Sequence, residues 1–224
     1  MTTEAQPLVI AVDAETQVSG LLLAPESARA CYVLAHGAGA GMRHPFMAAV
    51  AQGLVERGIA TLRYQFPYME RGSKRPDAPP LAHATVRAAC ATAASRMLHI
   101  PLFAGGKSFG GRMTSQAQSN MPLPHVRGLV FLGFPLHPAK QPADTRGAHL
   151  AKIDVPMLFL QGTRDELAEM RLLEPLVRRL GARAALVSLR DADHSFHVLK
   201  RSGRDDTAVL TEMLDALAAW IVQH

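Results

Sequence analysis

Residues 101–113 read PLFAGGKSFGGRM, and this stretch decides the fold class. An apolar run ends in the pentapeptide GKSFG (106–110), and a helical pattern follows it directly. A G-x-S-x-G sequence between a strand and a helix is typical of a nucleophile elbow, a sharp turn that exposes a serine above the sheet edge. Bulky side chains two residues before or after that serine would clash in the turn. We therefore predict that Ser108 is a catalytic nucleophile.

The same residues can also be interpreted as the end of a phosphate-binding P-loop, G-x-x-x-x-G-K-[ST]. The first glycine of that motif would have to stand at position 101, where the chain has Pro101. Proline has no amide to donate to a phosphate, and its φ angle is restricted. In addition, no later apolar strand ends in the aspartate expected for magnesium. The sequence therefore favours the elbow over a nucleotide-binding loop.

Short apolar runs alternate with longer segments of helical period along the chain, which is typical of strands and helices around a mostly parallel sheet. The first two predicted strands have no helix between them and should form an antiparallel hairpin at one edge. We expect one α/β domain over residues 1–224 with an eight-stranded sheet flanked by helices. The predicted strands lie near 7–12, 18–24, 30–36, 59–64, 101–106, 126–133, 156–161 and 184–189, and the predicted helices near 44–57, 82–98, 109–119, 167–180 and 204–222.

A serine nucleophile needs a histidine to take its proton, and the histidine needs an acid that fixes its tautomer. Asp165 follows the seventh predicted strand and His194 follows the eighth. Asp191 and Asp193 are alternative acids, but they share a loop with His194, and neighbouring side chains point in different directions. We expect Asp165 to orient His194, and we expect His197 to be a surface or packing residue.

The negatively charged oxygen of a tetrahedral intermediate needs two preorganised N–H donors. One donor should be the amide of Phe109, the residue after the nucleophile. The third predicted strand runs into the glycine-rich stretch HGAGAG (36–41), and we assign the second donor to the amide of Ala38. The alternative for this stretch is a flexible turn into the next helix.

Five segments carry a resemblance to a known family: HGAGAGMRHPFM, FPYMERGSKRPD, GGKSFGGRMTSQ, QGTRDEL and DHSFHVLKRSGR, in this order between residues 36 and 204. The sequence resembles the α/β-hydrolase superfamily, and within it the bacterial hydrolase-like family related to the testis-expressed and histone-acetyltransferase-complex α/β-hydrolase-like proteins. The resemblance implies the α/β-hydrolase fold and places Ser108, Asp165 and His194 in the triad positions. The sequence is also similar to dienelactone-hydrolase-like enzymes, which often carry cysteine where this chain has Ser108.

The expected function is that of a serine hydrolase cleaving a small carboxylic ester or thioester through an acyl-enzyme, with no metal or organic cofactor. The alternative is a non-catalytic α/β-hydrolase-like interaction module, since some eukaryotic relatives serve as complex subunits. All three triad residue types and the small elbow residues are present, which favours the enzyme.

Two irregular segments, 65–80 and 134–153, follow predicted strands and are rich in proline, glycine and charge. Ligands of open α/β sheets bind outside the carboxyl ends of the strands, so these segments are candidate pocket walls as well as connecting loops. Segment 134–153 is too short and too proline-broken for a helical lid. The expected pocket residues are His36, Tyr68, Met69, Met113, Phe134, Leu136 and Phe196. Positive charge near the site, or only a solvated surface, is expected from Lys107, Arg63, Arg71, Arg112, His137 and Arg164.

The composition is that of an ordinary globular protein, with 48% apolar and 19% charged residues and a net charge of +5. No stretch combines clustered basic residues with several aromatics, so no nucleic-acid partner is expected. A basic leader segment and an apolar run of about 20 residues are both absent, so we expect a cytoplasmic protein with no membrane span. Cys31 and Cys90 are far apart and are expected to be buried, without a disulfide or a zinc site. The oligomeric state is left open.

Overall fold

The computed structural model describes residues 4–224, and eight strands in that range form one sheet. The strands are β1 (Gln6–Ala11), β2 (Gln17–Leu23), β3 (Ala30–Ala35), β4 (Ile59–Tyr64), β5 (Leu102–Lys107), β6 (Val126–Leu132), β7 (Met157–Gly162) and β8 (Ala184–Leu189). The α-helices are α1 (Pro45–Val55), α2 (Pro67–Glu70), α3 (Pro79–Arg96), α4 (Phe109–Asn120), α5 (Met170–Leu180) and α6 (Asp206–Gln223). Short 3₁₀ helices cover Thr145–Lys152, Gly181–Arg183 and Lys200–Ser202.

The spatial order of the strands is β1-β2-β4-β3-β5-β6-β7-β8. Strand β2 runs antiparallel to both β1 and β4, and every other neighbouring pair is parallel. The predicted mostly parallel sheet and the predicted edge hairpin are therefore confirmed. Each predicted strand lies within one residue of the observed one, because short apolar runs bounded by turn residues specify strands locally.

Both faces of the sheet are covered by helices, which explains why β3, β4 and β7 are buried along their whole length. One apolar layer contains side chains of α3, α4 and α5, and the other contains side chains of α1 and α6. Cys31 in β3 and Cys90 in α3 are both buried and free. Burial raises the pKa of each thiol to about 12, so both are neutral thiols that act as small apolar residues.

Three helical segments differ from the prediction. Helix α2 (Pro67–Glu70) lies in segment 65–80, which is predicted to be irregular. Helix α3 begins at Pro79 and not near residue 82, because a proline fits the first helical turn, where no amide is needed. Segment 134–153, also predicted to be irregular, contains the 3₁₀ helix Thr145–Lys152, whose three-residue period leaves no 3.6-residue pattern to recognise. Among the helices of residues 4–224, none combines the length and the apolar character that a membrane span needs.

The parallel strands direct their carboxyl ends to one edge of the sheet. The chain segments that follow β3, β5, β7 and β8 therefore meet at that edge, although they are up to about 150 residues apart in sequence. The candidate functional site lies at this edge.

Candidate active site

Ser108 occupies the sharp turn between a strand and a helix. Strand β5 ends at Lys107 and α4 begins at Phe109, so Ser108 is the single residue between them. Its backbone has φ +50° and ψ −113°, a conformation that L-residues rarely adopt and that costs on the order of 1–3 kcal/mol. Such strain is typical of an elbow that presents its side chain above the sheet.

Two glycines allow the elbow to lie directly against β3. Gly106 has φ +148°, and a Cβ atom at this position would lie 2.2 Å from the carbonyl oxygen of Ala35. A Cβ atom on Gly110 would lie 2.7 Å from the carbonyl carbon of Ala35. Any larger residue at either position would push the elbow away from β3, which explains the spacing of the two glycines around the serine.

A chain of hydrogen bonds joins the three predicted catalytic side chains. His194 Nε2 lies 2.8 Å from Ser108 Oγ, and His194 Nδ1 lies 2.7 Å from Asp165 Oδ2. The Asp165 side chain is fully buried, whereas 24% of the His194 side chain is exposed. The three residues come from the segments after β5, β7 and β8, so the fold brings together groups that the sequence keeps apart.

Asp165 is held by further donors. Gln161 Nε2 donates to Asp165 Oδ2 at 2.5 Å, and the amide of Leu167 donates to Asp165 Oδ1 at 2.8 Å. These bonds satisfy a buried carboxylate and fix its orientation toward His194. Sequence reasoning missed Gln161, although a lone polar side chain near the end of the apolar strand MLFLQG is a signal for such a role.

The Asp193 side chain forms hydrogen bonds within its own loop. Its Oδ1 accepts hydrogen bonds from the amides of Ser195 at 2.8 Å and His197 at 3.0 Å. His197 in turn pairs with Asp206, at 2.6 Å and largely exposed. Both residues therefore shape the segment that carries His194, and neither occupies the position that Asp165 has beside the imidazole.

Lys107 connects the elbow to the His194 segment. Its Nζ donates to the carbonyl oxygen of His194 and lies 4.9 Å from the centre of the Phe196 ring. Burial lowers the pKa of Lys107 to about 8, although Asp165 and Asp193 act in the opposite direction. The ammonium group of Lys107, the last residue of β5, therefore fixes the backbone of His194 relative to the elbow.

The glycine-rich segment after β3 is fixed by hydrogen bonds to the buried side chains of Tyr68 and His36. The hydroxyl of Tyr68 accepts the amide of Gly39 at 2.9 Å. His36 Nε2 accepts the amide of Phe66 at 3.1 Å, so Nδ1 carries the proton and donates to the Gly37 carbonyl at 2.7 Å. Burial lowers the pKa of His36, which favours this neutral form.

The two amides predicted to bind an oxyanion are available. Within residues 4–224, neither the amide of Ala38 nor that of Phe109 donates to a backbone acceptor. Phe109 is the first residue of α4, where amides have no partner inside the helix. Ala38 lies in the exposed part of the loop that Tyr68 and His36 support.

Ser108 lies where two clefts meet, and Ala38 borders both. The first cleft has a volume of about 620 Å³ and contains His194 and Lys107. Its other walls are mainly apolar and include Pro45, Phe46, Met47, Phe196 and Leu210. The second cleft has a volume of about 340 Å³ and is bordered by Pro76, Phe109, Arg112, Met113, Pro135 and Arg146.

The expected pocket residues require a correction. Phe196 lines the first cleft and Met113 lines the second, whereas half-buried Met69 lines neither. The other four have no exposed surface, so they cannot line a pocket: His36, Tyr68, Phe134 and Leu136. The aromatic residues that follow the strands pack on the core and on each other, as Phe134 does on Phe131 with ring centres 5.1 Å apart.

Of the six basic residues expected near the site, two line one of the two clefts and four do not. Lys107 lines the first cleft and Arg112 the second. The other four lie outside both clefts: Arg71 pairs with Asp77, Arg164 is exposed, and Arg63 and His137 are buried elsewhere. Sequence reasoning missed Arg146, which lines the second cleft. Its only signal was its place in the irregular segment 134–153.

A second serine and histidine pair lies close by but lacks the other features of the site. Ser115 Oγ is 2.7 Å from His149 Nε2, and Ser115 is fully buried in α4. Burial and the nearby Arg112 charge lower the pKa of His149 to about 4, so this ring is neutral at pH 7. Within residues 4–224 no carboxylate pairs with His149. Ser108 therefore remains the candidate nucleophile.

The elbow, the strand order and the helices on both faces define an α/β-hydrolase fold, and residues 4–224 contain no additional lid domain. A family profile described as an alpha/beta hydrolase domain matches residues 28–222, and the chain belongs to this family.

Solved structures share this fold over nearly the whole chain. Dienelactone hydrolase from Anabaena variabilis is 21% identical, with a TM-score of 0.81, and covers 100% of this chain and 99% of its own. A serine hydrolase without a lid from Xanthomonas campestris is 18% identical, with a TM-score of 0.75, and the match covers 98% of this chain and 96% of that one. A serine hydrolase homologue from Coxiella burnetii is 17% identical, with a TM-score of 0.73 and coverage of 98% for both chains. At these identities the likeness concerns the fold.

Proposed function

We propose that this protein is a serine hydrolase that cleaves a small carboxylic ester or thioester through an acyl-enzyme. The observation that carries the proposal is the hydrogen-bonded chain from Ser108 Oγ through His194 to the buried Asp165 carboxylate. Membership of a hydrolase family supports it, as do serine hydrolases and esterases among the structures of the same fold.

In the first half of the reaction, Ser108 Oγ attacks the carbonyl carbon and its proton passes to His194 Nε2. Asp165 accepts the Nδ1 hydrogen bond and stabilises the imidazolium that forms. The amides of Phe109 and Ala38 donate to the negatively charged oxygen of the tetrahedral intermediate. His194 then gives its proton to the departing oxygen or sulfur as the bond to the acyl carbon breaks, which leaves the acyl group on Ser108.

In the second half, a water molecule replaces the departed group. His194 takes a proton from the water as its oxygen attacks the acyl carbon, and returns that proton to Ser108 Oγ when the ester bond to the enzyme breaks. The carboxylic acid is released and the enzyme is restored. Each proton that leaves Ser108 or water is therefore held at one atom, His194 Nε2.

The alternative function is that of an interaction module, like the complex subunits among the testis-expressed and histone-acetyltransferase-complex α/β-hydrolase-like proteins. We also propose that this chain is related to those proteins. A strained serine and a fully buried carboxylate both cost stability. A binding module gains nothing from either, which favours the enzyme. We also propose that the protein is cytoplasmic. Its partner is then a small-molecule substrate, and it binds neither nucleic acids nor membranes.

A fluorophosphonate probe tests the proposed nucleophile. We expect the probe to label Ser108 in the folded protein, because the elbow exposes this hydroxyl and His194 activates it. Mapping of the labelled peptide by mass spectrometry identifies the residue. A Ser115→Ala variant is the matched control and should label normally. Labelling of another serine would show that the nucleophile has been assigned to the wrong residue, and no labelling of the folded protein would argue for the non-catalytic alternative.

Acyl chain length provides a second test. The described part of the chain has no lid domain to enclose a long acyl chain, so each added methylene forfeits up to about 0.8 kcal/mol of potential burial. We expect kcat/KM for para-nitrophenyl esters to be highest for short acyl groups and to fall toward palmitate. We also expect no jump in rate above the micelle concentration of the substrate. A steady rise from acetate to palmitate would contradict this prediction.

A further inference from the structure

Two arginines give the second cleft a positive charge that the described part of the chain leaves uncompensated. Arg112 lies in the first turn of α4, four residues after Ser108, and both residues line the second cleft. Arg146 belongs to the 3₁₀ helix Thr145–Lys152. Within residues 4–224, neither arginine forms an ion pair.

The Arg112 side chain lies beside the Phe109 ring, and one of its buried donors lacks an acceptor. Its Nε is buried and has no hydrogen-bond partner in residues 4–224. The guanidinium carbon lies 5.9 Å from the centre of the Phe109 ring. Burial and the neighbouring charge of Arg146 both lower the pKa of Arg112. An anion between the two arginines would offset the repulsion between their charges, and a planar guanidinium matches a carboxylate in particular.

Asp77 also borders this cleft, but both of its oxygens are occupied. Its Oδ1 pairs with Arg71 Nη2 at 2.7 Å, and its Oδ2 accepts the amide of Tyr68 at 2.9 Å. The Asp77 side chain is 1% exposed and helps to hold the start of α2. Its charge is therefore compensated by Arg71 and does not neutralise Arg112 or Arg146.

The position of His194 assigns the two ends of the substrate to the two clefts. His194 lines the first cleft and not the second. In the proposed reaction His194 returns its proton to the departing oxygen, so the leaving group must lie on the side of His194. The acyl group then extends into the second cleft. The stacked rings of Phe46 and Phe196, 5.6 Å apart, suit an apolar leaving group in the first cleft.

We propose that the substrate is an ester or thioester whose short acyl group ends in a carboxylate, which Arg112 and Arg146 bind in the second cleft. This inference rests on the proposed function, because the assignment of the ends uses the role of His194. The volume of about 340 Å³ limits the acyl group to a short one. A half ester of a small dicarboxylic acid with an apolar alcohol has all of these features.

The first experiment compares monobenzyl succinate with benzyl butyrate, two esters with the same leaving group and the same number of acyl carbons. We expect kcat/KM to be higher for monobenzyl succinate. In Arg146→Gln the ratio of the two kcat/KM values should fall by about 10- to 100-fold, the range expected for losing a charge-assisted hydrogen bond. Arg146→Lys should recover part of the ratio.

Arg127→Gln is the matched control. Arg127 is an exposed arginine at the amino end of β6, opposite the edge that carries Ser108. This variant loses the same charge and should keep the wild-type ratio. An unchanged ratio in Arg146→Gln, or an equal fall in both variants, would overturn the inference.

A third ester tests which end carries the anion. In para-carboxybenzyl butyrate the carboxylate sits on the leaving group and the acyl group is neutral. We expect Arg146→Gln to affect this ester far less than monobenzyl succinate. A larger effect on para-carboxybenzyl butyrate would place the leaving group in the second cleft and overturn the assignment.

Binding measurements separate this inference from the proposed function. Calorimetry with a Ser108→Ala protein needs no turnover, and monobenzyl succinate should bind more tightly than benzyl butyrate, with the difference lost on adding Arg146→Gln. Equal affinities for the two esters would overturn the anion site even if wild-type protein hydrolyses both. Failure of the proposed function would instead appear as no hydrolysis of either ester and no fluorophosphonate labelling, whatever the binding shows.

Discussion

Replacing Ser108 with alanine should lower kcat by about 10⁴- to 10⁶-fold, the range seen when a triad nucleophile is removed. The variant lacks the oxygen that forms the acyl-enzyme, while His194 and Asp165 stay in place. Thermal stability should change little, because the hydroxyl is half-buried and its hydrogen-bond partner is the partly exposed His194 ring. Turnover of para-nitrophenyl acetate and a thermal melt measure the two quantities.

Ser115→Ala is the control for this experiment. It removes the other serine hydroxyl that contacts a histidine within residues 4–224, at a fully buried position behind the site. We expect it to keep turnover near the wild-type value. Turnover by Ser108→Ala close to wild type would exclude the proposed mechanism, and a large loss of stability would indicate a structural role for the serine.

Replacing Asp165 with asparagine should lower kcat by about 10⁴-fold, the effect of Asp→Asn in a serine protease triad. Asp165 receives donors on both oxygens, from His194 and Gln161 on Oδ2 and from Leu167 on Oδ1. The amide group of asparagine must therefore face at least one donor. If it faces His194, the imidazole proton moves to Nε2, and the ring can no longer accept the proton of Ser108.

Asp193→Asn is the matched control in the neighbouring loop. An asparagine oxygen can still accept the amides of Ser195 and His197, so the loop should keep its shape and kcat should change little. Steady-state kinetics of both variants with para-nitrophenyl acetate compare the two acids directly. A greater loss in Asp193→Asn than in Asp165→Asn would show that the acid has been assigned to the wrong residue.

The sequence by itself determined the sheet and the elbow. Strands such as β3 and β7 are short apolar runs between turn residues, and the hairpin of β1 and β2 follows from the missing helix between them. The elbow depends on glycines two residues away from Ser108, a local steric requirement that is readable from five residues. These features depend on neighbours along the chain, which is why pattern and spacing specify them.

Only the tertiary structure decided which side chains face the clefts. Phe134 and Phe196 both follow predicted strands, yet Phe134 packs on Phe131 in the core while Phe196 lines the first cleft. Arg146 has a role because Arg112, 34 positions away along the chain, borders the same cleft. Burial and charge compensation depend on packing between distant elements, and no local pattern in the sequence records that packing.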